Sequence, residues 1–335
     1  MNTKPTVTLC IWGYRVVLKG FANDEVDEIR ETFAGAVHDS PCADQSGDPL
    51  FLYRIVGLGR ADERRSRRRP RHRGGSDARK FFLDGQPFVA HEQRRDIYDH
   101  GDGAYSWPTS GGGRARIDVA ASQVHVTCDG PLPPLLLSDI VEDWLLVQTR
   151  QEGAVQVHCS AWVDEHDSAH LVVGSSGVGK TTELFRAIAD GMGFLSNDRA
   201  FLRLGPSGLE TRSFPLPVNV GCGTIRSLGI ELPHFDLADT DKIRLRAPEV
   251  ADKYGADYST WYPVRAITCR SIEDFDANIY WDEDECHPWW IAEWKPRPIP
   301  SNIHSALWAA ATGLLTEMAV PWHENSSGTA THRSS

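Results

Sequence analysis

The stretch HLVVGSSGVGKTTELFRAIADGMGFLSNDRAFL, residues 170–202, decides the fold. Its first half fits the phosphate-binding pattern in which a glycine-rich loop is followed by Lys180 and Thr181. An apolar run before the loop predicts a buried strand, and residues 181–190 after it predict a helix. A glycine-rich turn carrying Lys-Thr by chance would need neither neighbour, so we expect a nucleotide phosphate site here.

Each residue type in the loop has a mechanical role. Glycine lets the backbone turn its N–H groups toward phosphates, and the N-terminus of the following helix adds a partial positive charge. Lys180 is expected to reach the β- and γ-phosphates, and Thr181 is expected to ligate Mg²⁺. The residues predicted to bind the nucleotide are Gly174, Ser175, Ser176, Gly177, Val178, Gly179, Lys180, Thr181 and Thr182.

The second half of the stretch predicts short strands instead of further strand–helix units. The run FLS extends to Asn197-Asp198-Arg199, and the later runs AFLRL and LETRSF continue as a strand meander. Motor ATPases, GTPases and adenylate-kinase-like enzymes are expected to show repeated strand–helix alternation. Asn197 is only the seventeenth residue after Lys180. An acid at this strand end, so soon after the loop, is placed to face the γ-phosphate.

Upstream of the loop, residues 153–163, GAVQVHCSAWV, alternate as a strand. The alternation sets His158 on the face opposite the apolar residues. His158 is therefore either a functional residue or a polar residue satisfied on the exposed face. For Asp198 the alternative is a turn acid at a strand end, and Arg199 is best interpreted as one half of a surface ion pair.

The remaining sequence predicts an α/β protein in two parts. Residues 1–130 are rich in β-branched and aromatic runs and predict a small β-rich N-terminal domain. Residues 131–322 predict the domain with the phosphate loop, and 323–335 a disordered tail. Within the N-terminal part, residues 24–39 predict a short helix. Within the second part, residues 135–150 predict a helix capped by Ser138, and residues 302–320 predict another helix.

Composition excludes several classes of function. The 335 residues carry a formal net charge of −11, which disfavours a nucleic-acid partner. Ten of the 35 basic residues lie in residues 60–80. The arginine run of this segment has no interleaved aromatic residues, which also disfavours nucleic-acid binding. The segment has neither apolar periodicity nor many order-promoting residues, so it predicts a solvated, disordered loop.

No apolar stretch has the roughly 20 residues needed to span a bilayer, so no membrane partner is expected. The seven cysteines are odd in number and widely spaced. This pattern favours reduced thiols and a cytoplasmic location over a disulfide framework or a zinc site.

These motifs together resemble the HPr kinase/phosphorylase family, which is more distantly related to phosphoenolpyruvate carboxykinases. The matching pieces are Val157-His158, the loop from Gly174 to Thr181, and Asn197-Asp198-Arg199. The resemblance covers residues 150–205 and implies a P-loop kinase core with a mixed sheet, using ATP and Mg²⁺. It implies an acceptor hydroxyl on a peptide, on a small protein or on a small metabolite, and it allows for a homo-oligomer.

One departure from the family pattern concerns the acids. The family has two adjacent acids, and this chain has Asn197 in place of the first. The resemblance therefore implies Asp198, His158 and Lys180 as catalytic residues and Thr181 with Asp198 as metal ligands. Asp198 serves as both base and metal ligand, or it holds Mg²⁺ while His158 accepts the hydroxyl proton. The alternative function is an ATP-binding regulatory or assembly module that transfers no phosphate.

Overall fold

The computed structural model describes most of the chain, with gaps. The described residues are 6–38, 49–56, 79–80, 82–83, 86–87, 89–90, 93–94, 98–101, 103–108, 114–128, 130–133, 136–175, 177–214, 218–221, 224, 228, 242–245, 253–254, 257–258, 260–281, 294 and 298–317. Ser176, nearly all of the basic segment 60–80 and the tail 323–335 lie outside them. What the sequence predicts for those residues stays a prediction.

The described residues form five helices and 23 strands. The helices are α1 (Asn23–Thr32), α2 (Leu136–Gln151), α3 (Lys180–Ala189), α4 (Ile272–Asp276) and α5 (Ser301–Thr312). The strands are β1 (Thr6–Ile11), β2 (Tyr14–Lys19), β3 (Val37–His38), β4 (Leu50–Val56), β5 (Arg79–Lys80), β6 (Phe82–Leu83), β7 (Gln86–Pro87), β8 (Val89–Ala90), β9 (Gln93–Arg94), β10 (Tyr98–Gly101), β11 (Ala104–Pro108), β12 (Arg114–Ala120), β13 (Gln123–Cys128), β14 (Val155–Val163), β15 (Ala169–Val173), β16 (Gly193–Ser196), β17 (Arg199–Gly205), β18 (Gly208–Ser213), β19 (Val218–Gly221), β20 (Lys242–Leu245), β21 (Tyr262–Cys269), β22 (Ile279–Tyr280) and β23 (Leu315–Glu317).

Nine of the described strands form a mixed sheet in the N-terminal part of the chain. Their order is β3-β1-β2-β4-β13-β12-β11-β10-β5, with β4 parallel to both of its neighbours. The β1–β2 hairpin turns through two residues, Trp12 and Gly13, whose φ angles are +57° and +82°. Two positive φ angles give the turn that matches the twist of the flanking strands.

The second sheet is mixed as well, and its pairings close into a ring. β14 pairs with β17, β17 with β18, β18 with β21, β21 with β15, and β15 again with β14. The contact between β15 and β21 is parallel, whereas the other four are antiparallel. The strands predicted after the loop are present, but only β17 and β18 form the predicted meander, since β16 and β17 both pair with β14 instead of with each other. The class is mixed α/β. The predicted domain boundaries stay predictions.

The nine-stranded sheet and the ring share a core. One apolar cluster joins α1 and α2, through residues such as Ile29 and Trp144, to Phe185 on α3 and Phe201 on β17. A second cluster fills the ring and includes Val157, Leu171 and Ile267. The first cluster fixes α3, and with it the loop, against the N-terminal part of the chain.

An alternating stack of rings and guanidinium groups links the two sheets. The Cζ of Arg212 lies 4.1 Å from the ring centroid of Trp12 and 4.4 Å from that of Trp261. The Cζ of Arg203 lies 3.9 Å from the same Trp261 ring. Arg212 is only 3% exposed, so its contacts with both rings are desolvated, which strengthens cation–π attraction.

Several sequence predictions are wrong in detail. The helix predicted over 24–39 ends at Thr32, and Val37 lies in β3. Ser138 lies inside α2, which begins at Leu136, and its hydroxyl donates to Thr32 Oγ1 at 2.9 Å instead of capping the helix. The helix predicted over 302–320 ends at Thr312.

The cysteines are also not uniformly reduced. Among the described residues Cys128, Cys159 and Cys269 are buried free thiols, whereas Cys10 is disulfide-bonded. Within the same described ranges, no helix has both the length and the apolar character to cross a membrane. The predicted cytoplasmic location stays a prediction.

Candidate functional site

The predicted strand, loop and helix are all present. β15 ends at Val173, and α3 begins at Lys180 with Gly179 as its N-cap. Gly177 and Gly179 have φ angles of +89° and +88°, a left-handed conformation that side chains rarely adopt. An added methyl group would meet no heavy atom within 4 Å at either position. The requirement for glycine is therefore in the backbone conformation, and the space outside the loop is open.

The other loop residues divide into packed and accessible positions. Val178 is buried and Ser175 is exposed, while Thr181 and Thr182 are half-buried. The Oγ1 of Thr182 lies 3.2 Å from Thr224 Oγ1. α3 itself is anchored by Leu184 and Phe185, which are buried in the core shared with the N-terminal sheet.

Lys180 is buried, and its ammonium group contacts both the loop and β14. Its Nζ donates to the carbonyl oxygens of Gly174 and Ser175, the latter at 3.0 Å, and lies 3.0 Å from His158 Nε2. Burial lowers the pKa of Lys180, and the negative charges of Asp198 and Asp274 oppose that lowering. The ammonium thus bridges the loop and the imidazole.

The fold places Asp198 beside His158 because two strands run in line along β14. β16 pairs with the Ala161–Val163 end of β14, and β17 pairs with the Val155–His158 end. Asn197 and Asp198 form the break between them, and the Asp198 carbonyl accepts from Cys159 N at 3.1 Å. The Asp198 carboxylate Oδ1 lies 3.3 Å from His158 Nδ1.

The charges around Asp198 favour its ionised form. The hydrogen bond from His158 lowers the pKa of Asp198, and the positive charges of Arg199 and Lys180 act in the same direction against burial. The Asp198 side chain is still 56% exposed, so its carboxylate is open to a ligand. Arg199 itself pairs with Glu142 on α2 at 3.4 Å, but the two side chains are only 21% and 11% exposed, so the pair is mostly buried and not the surface pair that was predicted.

Asn197 and Cys159 lie next to the pair without supplying a second acid. The Asn197 carbonyl accepts from Ser160 Oγ at 3.1 Å. Cys159 is fully buried, and that burial raises the pKa of its thiol. A protonated, enclosed thiol is not a nucleophile, so the reactive groups in contact here are those of Lys180, His158 and Asp198.

One acid near the loop was missed by the sequence analysis. Asp274 lies on α4, which follows β21, and a methyl group added at Gly174 would lie 3.0 Å from Asp274 Oδ2. The available signal was the apolar run of β21, since an acid shortly after a strand that runs parallel to β15 falls at the same sheet edge as the loop. The sequence alone did not show that these two strands are neighbours.

The residues present fit a nucleotide phosphate and Mg²⁺. The glycine backbone, the helix N-terminus and Lys180 offer the donors and positive charge that phosphates need. A hydroxyl on Thr181 and a carboxylate on Asp198 are hard oxygen ligands, and Mg²⁺ usually takes only one or two from protein beside water and phosphate. Within the part of the chain that the structure describes, no group of three or more His, Cys, Asp or Glu side chains is placed to hold a metal ion.

Comparison with known proteins gives a distant likeness to solved structures. No family model matches the chain, and no curated protein matches it significantly. Among solved structures, the Hpr(Ser) kinase/phosphatase from Coxiella burnetii is similar, with 13% sequence identity and a TM-score of 0.23 over 35% of this chain. The match spans 65% of that protein, less than two thirds of its length. A likeness this small does not establish the activity, which has to be inferred from the residues of the site.

Proposed function

We propose that the chain is an ATP-dependent phosphotransferase that moves the γ-phosphate to a hydroxyl group. The observation that carries the proposal is the position of Lys180. Its ammonium group touches the carbonyls of a glycine loop on one side and His158 on the other, with Asp198 next in line. A phosphate held by Lys180 would lie beside a base and a carboxylate, which is what phosphoryl transfer to a hydroxyl requires.

Residues of the loop and of the strand end would share the binding. Backbone groups from 174–182 and the Lys180 side chain would hold the phosphates of ATP, while Thr181 and Asp198 would hold Mg²⁺. The metal would neutralise phosphate charge when bound. Because the transition state of phosphoryl transfer is loose, positioning and neutralisation contribute more than a strong base.

The hydrogen-bond network assigns a role to each nitrogen of His158. Lys180 has only donors, so His158 Nε2 accepts from it, and Nδ1 then carries the proton that faces Asp198. This tautomer is inferred from the network. Once Lys180 turns to the phosphates, Nε2 is free to accept a proton from the acceptor hydroxyl. The hydroxyl oxygen forms a bond to the γ-phosphorus, the bond from phosphorus to the β–γ bridging oxygen breaks, and ADP leaves.

Asp198 supports His158 in this arrangement and offers a second route for the proton. Its carboxylate orients Nδ1–H, the role that an acid has beside a catalytic imidazole in other enzymes. With 56% of its side chain exposed, it could instead hold Mg²⁺ or accept the proton itself. The acceptor class, a peptide or protein serine or a small-metabolite hydroxyl, comes from the family resemblance.

Transfer from γ-labelled ATP tests the proposal. The protein is incubated with Mg²⁺, labelled ATP and serine-containing peptides or a pool of hydroxyl metabolites, and labelled products are separated. We expect Lys180→Ala and Asp198→Asn to abolish transfer. Asp190→Asn, which removes the same charge from the exposed end of α3, should leave the rate unchanged and is the matched control. Full transfer by Asp198→Asn would refute the role of Asp198, and tight ATP binding without any transfer would refute the kinase.

A non-catalytic ATP-binding module is the second candidate, and Asn197 is the observation that favours it. An amide in place of the first acid removes a charge that the related kinases carry. If the chain is such a module, Mg·ATP should remain intact over hours of incubation, with no ADP, phosphate or phosphorylated product.

A further inference from the structure

The fold brings a second acid to the phosphate loop from far along the chain. β21 runs parallel to β15, with Val172 opposite Thr268, so the carboxyl ends of both strands meet at one edge. α4 begins just beyond β21, and its N-cap Ser271 accepts from Asp274 N at 3.2 Å. This cap fixes the turn of α4 that carries Asp274.

The carboxylate of Asp274 is packed against the start of the loop. A methyl group at Gly174 would lie 3.0 Å from Asp274 Oδ2 and 3.0 Å from Val178 Cγ2. The Oδ1 atom accepts weakly from Asn278 Nδ2 at 3.4 Å. The Oδ2 atom is buried and has no hydrogen-bond partner among the described residues. Burying a carboxylate oxygen in this way is costly unless a nearby positive charge compensates it.

Lys180 supplies that positive charge. Its Nζ donates to the carbonyl of Gly174, the same residue that Asp274 abuts. The negative charge of Asp274 attracts the ammonium group of Lys180 and opposes the effect of burial on its pKa. Two acids therefore act on Lys180: Asp198, which pairs with His158, and Asp274, which packs against Gly174.

We propose that Asp274 is a positioning residue that serves as the second acid of this site and holds Lys180 at the loop. The inference rests on the proposed phosphotransferase function and deepens it. Asn197 carries no charge, so the acid missing beside Asp198 in sequence is replaced by one from a different element. Asp274 does not touch substrate in this account and acts only through Lys180 and Gly174.

Removing the charge of Asp274 has a directional consequence. The remaining attraction on the ammonium group comes from the side of Asp198, where Lys180 already contacts His158 Nε2. Lys180 then stays on that nitrogen and blocks it as a proton acceptor. Lys180 held on His158 is misplaced relative to its position on the phosphates. A group misplaced by about 1 Å can slow a reaction about 100-fold, so we expect Asp274→Asn to slow transfer about 10- to 100-fold.

Nucleotide affinity is expected to change far less than the rate. Loss of a negative charge near the loop favours phosphate binding, whereas the displacement of Lys180 disfavours it, and the two effects oppose each other. The dissociation constant for Mg·ATP should stay within about threefold of the wild-type value. A merely structural defect at Asp274 would weaken binding and slow transfer together.

The test compares Asp274→Asn with Glu273→Gln, which removes the same charge from an exposed position on the same helix. ADP formation from Mg·ATP is measured with water as the acceptor, and binding of a non-hydrolysable ATP analogue is measured by calorimetry. We expect Asp274→Asn to be slow with near-normal affinity and Glu273→Gln to match the wild type. If Asp274→Asn does not fold, Asp274→Ser, which keeps a polar group and leaves more room, takes its place.

The outcomes separate this inference from the proposed function. Wild-type turnover with equal turnover by the Asp274 variant overturns the role of Asp274 and leaves the kinase standing. A parallel loss of affinity and rate also overturns it, because that result describes a structural residue. A wild-type chain that binds the analogue but forms no ADP and no phosphorylated product overturns both.

Discussion

Replacing Arg212 by Lys perturbs the stack that joins the two sheets. Arg212 is 3% exposed and lies between the rings of Trp12 and Trp261, with its Nη1 donating to the Trp12 carbonyl at 3.5 Å. Burial lowers the pKa of Arg212 to about 10, against the opposing charges of Tyr14 and Glu152, so the guanidinium remains charged at pH 7. Lysine keeps that charge but cannot stack a planar group on two rings.

The expected cost follows from the two ring contacts. A desolvated cation–π contact contributes up to about 2 kcal/mol, and a lysine ammonium between the rings would retain part of each. It is also more strongly hydrated than a guanidinium and so costs more to bury. We therefore expect Arg212→Lys to lower the free energy of unfolding by about 2 kcal/mol. Arg212→Met fills the space without a buried charge and should cost less than lysine does.

Urea denaturation followed by far-UV circular dichroism measures these differences without relying on tryptophan emission. Arg203→Lys is the matched control, because Arg203 also lies over the Trp261 ring, is 24% exposed and pairs with Glu210 at 3.1 Å. It should cost less than about 1 kcal/mol. An Arg212→Lys protein as stable as the wild type, or one more stable than Arg212→Met, would show that the contacts of Arg212 with the two rings do not stabilise the fold.

Two further predictions concern a turn and the loop. Burial raises the pKa of Asp164, but hydrogen bonds from His170 at 2.8 Å and from two backbone N–H groups lower it to about 2. The pKa of Asp164 in the unfolded chain is about 3.9, so the stabilisation is complete above about pH 4 and is lost as the pH falls toward about 2. Urea denaturation at pH 7 should show that Asp164→Asn lowers the free energy of unfolding by about 1 kcal/mol, after allowance for solvent screening. The difference should become progressively smaller below about pH 4. The methyl group of Gly177→Ala would contact no neighbour, but the alanine must adopt a φ of +89°, which costs about 1–2 kcal/mol. Calorimetry should therefore show a roughly tenfold or greater loss of ATP affinity, while the helix content stays unchanged. Unchanged affinity would contradict the loop conformation.

The sequence predicts the local parts of the site and not their assembly. The strand, loop and helix from 170 to 190 follow from apolar periodicity and glycine spacing, which act over a few residues. The contact between His158 and Asp198 depends on β16 and β17 both lining up along β14. That alignment is a tertiary property, so the sequence suggests both residues as candidates without bringing them together.

Helix ends show the same limit. Val37 has helical spacing with the apolar residues of α1, but Gly35 adopts a φ of +82° and the chain turns back to pair β3 with β1. At the other end of the chain, residues with good helix propensity leave α5 because Leu315 pairs with Ile267 of β21. Pairing with a neighbouring strand overrides local propensity in both places.

Asp274 was missed for a related reason. Its role depends on β21 being the parallel neighbour of β15, and no spacing in the sequence encodes that adjacency. An acid following a strand by a few residues is common in any α/β protein. Only the contact with Gly174 distinguishes Asp274 from the other acids of α4.

ATP labelled with heavy oxygen in its γ-phosphate shows whether the chain moves that phosphate to a hydroxyl group. The protein and its Asp198→Asn variant are incubated with Mg²⁺, the labelled ATP and a mixture of hydroxyl acceptors, and mass spectrometry follows the label. We expect labelled phosphate on an acceptor hydroxyl with the wild-type chain and none with the variant, while both bind ATP. Binding of ATP by the wild-type chain with the label remaining on ATP, or equal transfer by both proteins, would contradict the account.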